Sequence, residues 1–172
     1  MKNVTKFFAL AIVLLSFGAS TFAQVTASAT ATATIITPIA ITKTVDMNFG
    51  ILAVNNTVGT VILTPASTRS ATGGVTFLPA NPGTITAASF DITGLANATY
   101  SITLPVGVTT ITAVTNMTVD TWTSTPTVAS GGTLSAGGTQ ALTVGATLHV
   151  AASQAPGVYT SAIPFNVTVN YN

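Results

Sequence analysis

The chain has 172 residues, contains no cysteine, and only 4% of its residues are charged. Catalysis and metal binding need titratable or ligating side chains that cluster in space. Beyond residue 23 the chain offers few of them: Lys43, Arg69, Asp46, Asp91, Asp120 and His149. The composition therefore argues against an enzyme and excludes disulfides, and it predicts no catalytic, cofactor-binding or metal-binding residues.

The first 23 residues have the pattern of an export signal. Lys2 and Lys6 precede an apolar run over residues 7–17, and Thr21-Phe22-Ala23 is a small-x-small cleavage site. The run is too short to span a membrane. We therefore predict a signal peptide over residues 1–23, no membrane insertion after its removal, and an exported protein at the cell surface or outside the cell, with the periplasm as a point of transit.

Cleavage would leave two basic residues against three acidic ones, so the net charge would change from +1 to about −1. No basic patch for binding nucleic acid remains. The length that is left suits one domain.

The mature chain would begin with an alternating segment, residues 25–36. Val25 and Ile35 are the bulky residues of one face, and Thr or Ser occupies most of the other. A strand of small side chains has a weakly specified register. The segment is either a loose linker or a strand that pairs with another chain. On the second interpretation the candidate donor residues are Val25, Ala27, Ala29, Ala31, Ala33 and Ile35. We divide the mature chain into this extension, residues 24–36, and a domain over residues 37–172.

Alternation of period two continues through the chain. It predicts strands over residues 58–64, 74–78, 88–93, 100–104, 109–113, 116–123 and 142–150, with Gly- and Asn-rich turns between them. Many short strands with turns at this spacing indicate an antiparallel β-sandwich of the immunoglobulin-like type.

The last segment alternates most clearly. Its apolar face consists of Tyr159, Ser161, Ile163, Phe165, Val167, Val169 and Tyr171, which predicts one long final strand with a buried face. Pro164 lacks an N–H group and so marks a bulge, a bend or an edge position.

Several motifs from residue 35 onward resemble an exported Gram-negative bacterial family of unknown function. They are Thr37-Pro38-Ile39-Ala40-Ile41-Thr42-Lys43-Thr44, Asp46-Met47-Asn48-Phe49-Gly50, Gly59-Thr60-Val61, Phe90-Asp91-Ile92-Thr93-Gly94, Tyr100-Ser101-Ile102-Thr103-Leu104-Pro105, Gly132-Thr133-Leu134 and Gly157-Val158-Tyr159. The resemblance covers nearly the whole mature chain.

The early Phe-Gly and the late Gly-x-Tyr before an alternating strand are also distantly similar to spore-coat-U-like pilins of archaic chaperone–usher systems. That resemblance implies an incomplete sandwich, completed when one subunit donates its N-terminal strand to the next. The partners it implies are further copies of the chain, a periplasmic chaperone and an outer-membrane usher. Two features depart from those pilins: there is no disulfide, and the candidate donor strand carries Ala where they carry bulky residues.

The remaining polar and aromatic residues favour structural roles. His149 falls on the polar face of its predicted strand, and no Gly-x-Ser-x-Gly motif accompanies it. Asp46 would turn the chain before Phe49 enters the core, and Arg69 is expected in a loop, where it can pair with an Asp. Trp122 is expected in the core, with stacking on a sugar as the alternative.

Two functions remain in competition. The first is a structural, pilin-like subunit that assembles by strand exchange, with the segment from Tyr159 to Tyr171 beside the receiving groove. The second is a monomeric surface adhesin or carbohydrate-binding module that uses residues 79–87 and 124–138 to bind a glycan or a host protein. An accessory domain of a periplasmic enzyme is a third possibility that no feature favours.

Overall fold

The computed structural model describes residues 24–172, and the predicted signal peptide lies outside the described residues. The chain divides into two units between Ile35 and Ile36. In the first unit, residues 24–35 belong to no strand and are exposed. The second unit holds every strand of the described chain.

The second unit is an all-β, antiparallel sandwich, which confirms the predicted fold class. Its strands are β1 (Ala40–Val45), β2 (Leu52–Leu63), β3 (Arg69–Phe77), β4 (Ala88–Thr93), β5 (Thr99–Thr103), β6 (Thr109–Thr112), β7 (Asn116–Thr125), β8 (Gly132–Thr133), β9 (Thr139–Val150) and β10 (Thr168–Tyr171). The alternating pattern predicted the middle strands to within a few residues at most ends. It did not predict β1 or β8.

Strand β9 organises the larger sheet. Its first half pairs with β4 and its second half with β2, so these two strands share one edge of β9, while β7 pairs along the other edge. Gly145 lies where β4 gives way to β2. A Cβ atom there would stand 2.2 Å from the carbonyl oxygen of Leu63, so only glycine permits this close approach.

A smaller sheet, in the order β10-β5-β8, forms the second layer of the sandwich. The first core cluster lies where β4 and the first half of β9 meet β5 and β10, and it includes Ile92, Tyr100, Leu142 and Val169. A second cluster gathers β2, β3, β7 and the second half of β9, around Val61 and Leu148. Every second residue of β9 from Leu142 to Val150 is buried, as its alternation predicts.

The predicted long final strand is wrong in its extent. Only Thr168–Tyr171 forms a strand, and the chain bends at residues 162–163. Pro164 explains the break, because proline has no N–H for a ladder and restricts the residue before it. Ile163 was expected to face inward and is 80% exposed. The rest of the predicted inward face is buried or half-buried.

Candidate functional site

The middle of the C-terminal segment, residues 161–167, is the candidate site. Thr168 pairs with Thr103 of β5, and Thr160 pairs with Thr112 of β6. Between these two points, residues 161–167 take part in no strand pair and no bridge anywhere in the described chain. The other edge of β10 also has no hydrogen-bonded strand partner within residues 24–172, since β10 ends the order β10-β5-β8.

Three large side chains of the C-terminal segment nevertheless pack against the core. Phe165 and Val167 pack against the first core cluster and Tyr159 against the second. Trp122 touches both clusters and packs against Phe165 in a tilted arrangement, with ring centroids 4.5 Å apart. The segment therefore has the side-chain order of a strand without the backbone pairing of one.

Hydrogen bonds fix the chain on both sides of this unpaired stretch. At its beginning, the Tyr159 hydroxyl donates to the carbonyl oxygen of Ala155 and receives a hydrogen bond from the buried Gln154 amide. At its end, the Tyr171 hydroxyl donates to Thr37 O at 2.9 Å and accepts from Leu95 N–H at 2.6 Å. Residues 161–167 are thus held at both ends. The role of Gln154 was not predictable from the sequence, since an isolated Gln in a loop carries no pattern.

The candidate donor residues lie in the other unit of the chain. Val25 is 93% exposed and Ile35 is 97% exposed. The four alanines between them are exposed as well. No strand forms over residues 24–39, so their role as a donor strand stays a prediction.

Arg69 holds the Phe-Gly motif in place. Its guanidinium donates to the carbonyl oxygens of Phe49, Ile51 and Pro82, and it lies 4.1 Å from the centre of the Phe77 ring. Burial lowers the pKa of Arg69 from its ordinary value. The prediction that Arg69 lies in a loop and pairs with an Asp is wrong, because it begins β3 and its partners are backbone carbonyls.

Four of the other charged residues form two pairs at the surface. Lys43 bonds Asp46 at 2.7 Å, and His149 lies 2.8 Å from Asp120 across β9 and β7. The hydrogen bonds from His149 and Thr121 lower the pKa of Asp120. Within residues 24–172 no group of His, Cys, Asp or Glu side chains is arranged to hold a metal ion. No helix in this part of the chain could cross a membrane.

A shallow groove of about 640 Å³ lies beside Trp122. Its walls include Leu104, Val106, Val108 and Val128, and Val106 is fully exposed. The Trp122 indole N–H donates to Gly107 O at 3.3 Å, and its ring packs against that of Phe165. The prediction of a core Trp is therefore correct in part, because Trp122 is half-buried at the boundary between groove and core.

The chain matches the family described as a domain of unknown function, DUF4402, over residues 39–171. The protein belongs to this family. The match spans the sandwich and includes both the Phe-Gly motif and the C-terminal segment. No curated protein and no solved structure matches the chain.

Proposed function

We propose that this DUF4402 protein is a non-enzymatic, exported structural subunit of the bacterial cell surface that assembles like a pilin. Residues 25–36 of one copy add as a strand beside the C-terminal segment of the next copy. Because this contact is head-to-tail, it need not close and can grow into a filament. A periplasmic chaperone would cover the receiving edge before assembly, and an outer-membrane usher would receive the subunit from the chaperone.

The observation that carries the proposal is the unpaired stretch at residues 161–167. Unpaired strand edges invite pairing with another chain, and proteins normally cover or interrupt them. Here the edge lies over a hydrophobic core and carries no charged side chain. Strand addition would supply main-chain hydrogen bonds for affinity and alternating side chains for specificity.

The candidate donor is long enough for the unpaired stretch. An extended strand rises about 3.3 Å per residue, so the ten steps from residue 25 to residue 35 would span about 33 Å, whereas residues 161–167 span at most about 20 Å. The donor also carries no charged residue that would have to be desolvated against the core. One short strand can therefore cover the unpaired stretch.

The test is a gel of material sheared from the cell surface, run before and after boiling and probed for this chain. The wild type should give a ladder that collapses to a monomer on boiling. A chain in which residues 25–36 are replaced by a Gly/Ser segment of equal length should give monomer in both lanes, since Gly/Ser chains stay flexible. Circular dichroism should show the replaced chain still folded as a β-protein.

A ladder of wild-type intensity from the Gly/Ser variant would refute strand donation. A single monomer band from the wild type in both lanes would instead favour the second function, a monomeric adhesin or carbohydrate-binding module.

The groove beside Trp122 is the observation that favours that second function. Exposed apolar side chains such as Val106 and Val108 line it, and exposed apolar patches mark binding sites. The substitution Val106→Asp should abolish binding to a glycan or host-protein array if this groove is the site. A wild-type protein with no array signal would remove this candidate.

A further inference from the structure

Several large apolar side chains lie in and around the C-terminal segment. Tyr159 and Phe165 belong to the segment itself, and the Trp122 ring packs against that of Phe165. Met47 and Phe49 border the same cores from the N-terminal side. All five side chains are only partly buried, so their outer surfaces remain available to a partner.

The alternating face of residues 25–35 has the opposite character. Between Val25 and Ile35, each inward position of the candidate donor is alanine. Alanine is a poor choice for a strand on propensity alone. Its repeated use therefore needs another explanation, and low bulk is the property that all four alanines share.

The two sets of side chains are complementary in size. Closely packed interfaces leave neither voids nor overlaps, and a surface already filled by aromatic rings has room only for small partners. A donor with leucine or isoleucine at every inward position would overpack against this surface, and overpacking is destabilising. Large residues on one segment thus require small residues on the other.

We infer that the alanine face of residues 27–33 determines which partner the donor strand accepts. Its small side chains match in volume an acceptor surface that is filled by Phe165, Trp122 and Tyr159 of a second copy. This inference rests on the proposed function. It adds that only Val25 and Ile35 occupy donor positions where the acceptor has space for a large side chain.

The test uses the full chain with single substitutions in the exposed donor segment. Ala27, Ala29, Ala31 and Ala33 are each changed to Leu, and Thr30→Leu serves as the matched control on the opposite face. Each Ala→Leu variant should associate at least about tenfold more weakly than the wild type, from the usual cost of overpacking. Thr30→Leu should polymerise within about threefold of the wild type, since its side chain points away from the acceptor.

A second substitution relieves the predicted overlap. Phe165→Val, placed in the same chain as each Ala→Leu change, should restore the ladder for at least one of the four positions, and that position lies opposite Phe165. The thermal unfolding midpoint of each variant monomer confirms that the fold is retained.

Failure of the inference is distinguishable from failure of the proposed function. If the wild type forms no ladder, strand donation itself is refuted. If the wild type polymerises and Ala→Leu variants polymerise equally well or better, the size match is refuted and strand donation stands. Equal losses from Thr30→Leu and Ala29→Leu, or no rescue by Phe165→Val at any position, would also overturn the size match.

Discussion

Strand β9 and the C-terminal segment from Tyr159 to Tyr171 carry almost the same alternating pattern, but their structures differ. In β9 both backbone edges are paired, and every second side chain from Leu142 to Val150 is buried. In the C-terminal segment the inward side chains are mostly half-buried, and residues 161–167 pair with nothing in the described chain. Alternation thus determines which face meets the core, whereas backbone pairing depends on a neighbouring strand.

Hydrogen exchange should give the largest difference between these two regions. Amides of β9 should exchange only on global unfolding, whereas those of Phe165 and Val167 should exchange almost without protection. For a domain of ordinary stability, the two groups should differ at least about thousandfold in rate. Exchange measured by mass spectrometry on the monomer tests this. Equal protection would mean that residues 161–167 are already paired in the monomer. The segment would then have no free edge to receive a donor strand.

The same substitution in both regions sharpens the comparison. Val144→Ala in β9 removes a fully buried side chain and should cost about 2–3 kcal/mol of unfolding free energy. Val167→Ala removes a half-buried side chain and should cost about 1 kcal/mol. Urea unfolding of the monomers measures both. Equal costs would show that the C-terminal segment belongs to the core as fully as β9 does.

Tyr100 links β9 to β5, which is the pairing partner of β10 among the strands of residues 24–172. Its hydroxyl donates to Gln140 Oε1 at 2.7 Å, and the Thr133 N–H donates to the same oxygen. Tyr100→Phe should cost about 1 kcal/mol, because the ring is kept and Gln140 retains one donor. Urea unfolding at neutral pH measures this cost, and a loss of several kcal/mol would contradict it.

Burial raises the pKa of Tyr100. The pKa of Tyr100 in the folded protein therefore lies above its value near 10 in the unfolded chain. The stabilisation that comes from the neutral hydroxyl is fully present below pH 10 and is lost as the pH rises through the folded pKa. Tyr100→Phe should therefore weaken the alkaline fall in stability. An unchanged alkaline limb in the variant would contradict this effect.

The smallest effect is expected at the outer face of β9, where His149 meets Asp120. Asp120→Asn should cost at most about 1 kcal/mol at pH 7, since the pair is exposed. The hydrogen bonds from His149 and Thr121 lower the pKa of Asp120. The stabilisation of the folded protein by the Asp120 carboxylate is therefore present above the unfolded pKa near 4. It is lost as the pH falls through the pKa of Asp120 in the folded protein.

Urea midpoints of the wild type and of Asp120→Asn at pH 7 and pH 3 test this sign. The difference in urea midpoint between the wild type and the variant should be smaller at pH 3 than at pH 7. A larger difference at pH 3 would show that folding does not stabilise the carboxylate form of Asp120.

The predictions from sequence are correct where an alternating segment also pairs with neighbouring strands. Strand β4 was predicted with its observed ends, and His149 lies on the exposed face as expected. They failed where a single residue changes the backbone, as at Pro164, which ends the predicted final strand and leaves Ile163 exposed. They also failed for Arg69, since its carbonyl partners come from residues 13 to 20 positions away.

The sequence by itself determined the all-β class, because alternation of period two is a property of the local chain. It also indicated family membership, through motifs spread from Thr37 to Tyr159. Only the tertiary structure decided which strand edges are paired and which side chains fix the chain on both sides of residues 161–167. It also decided that Trp122 packs against Phe165. These depend on contacts between residues distant in sequence, and such contacts follow from how the strands meet rather than from any local pattern.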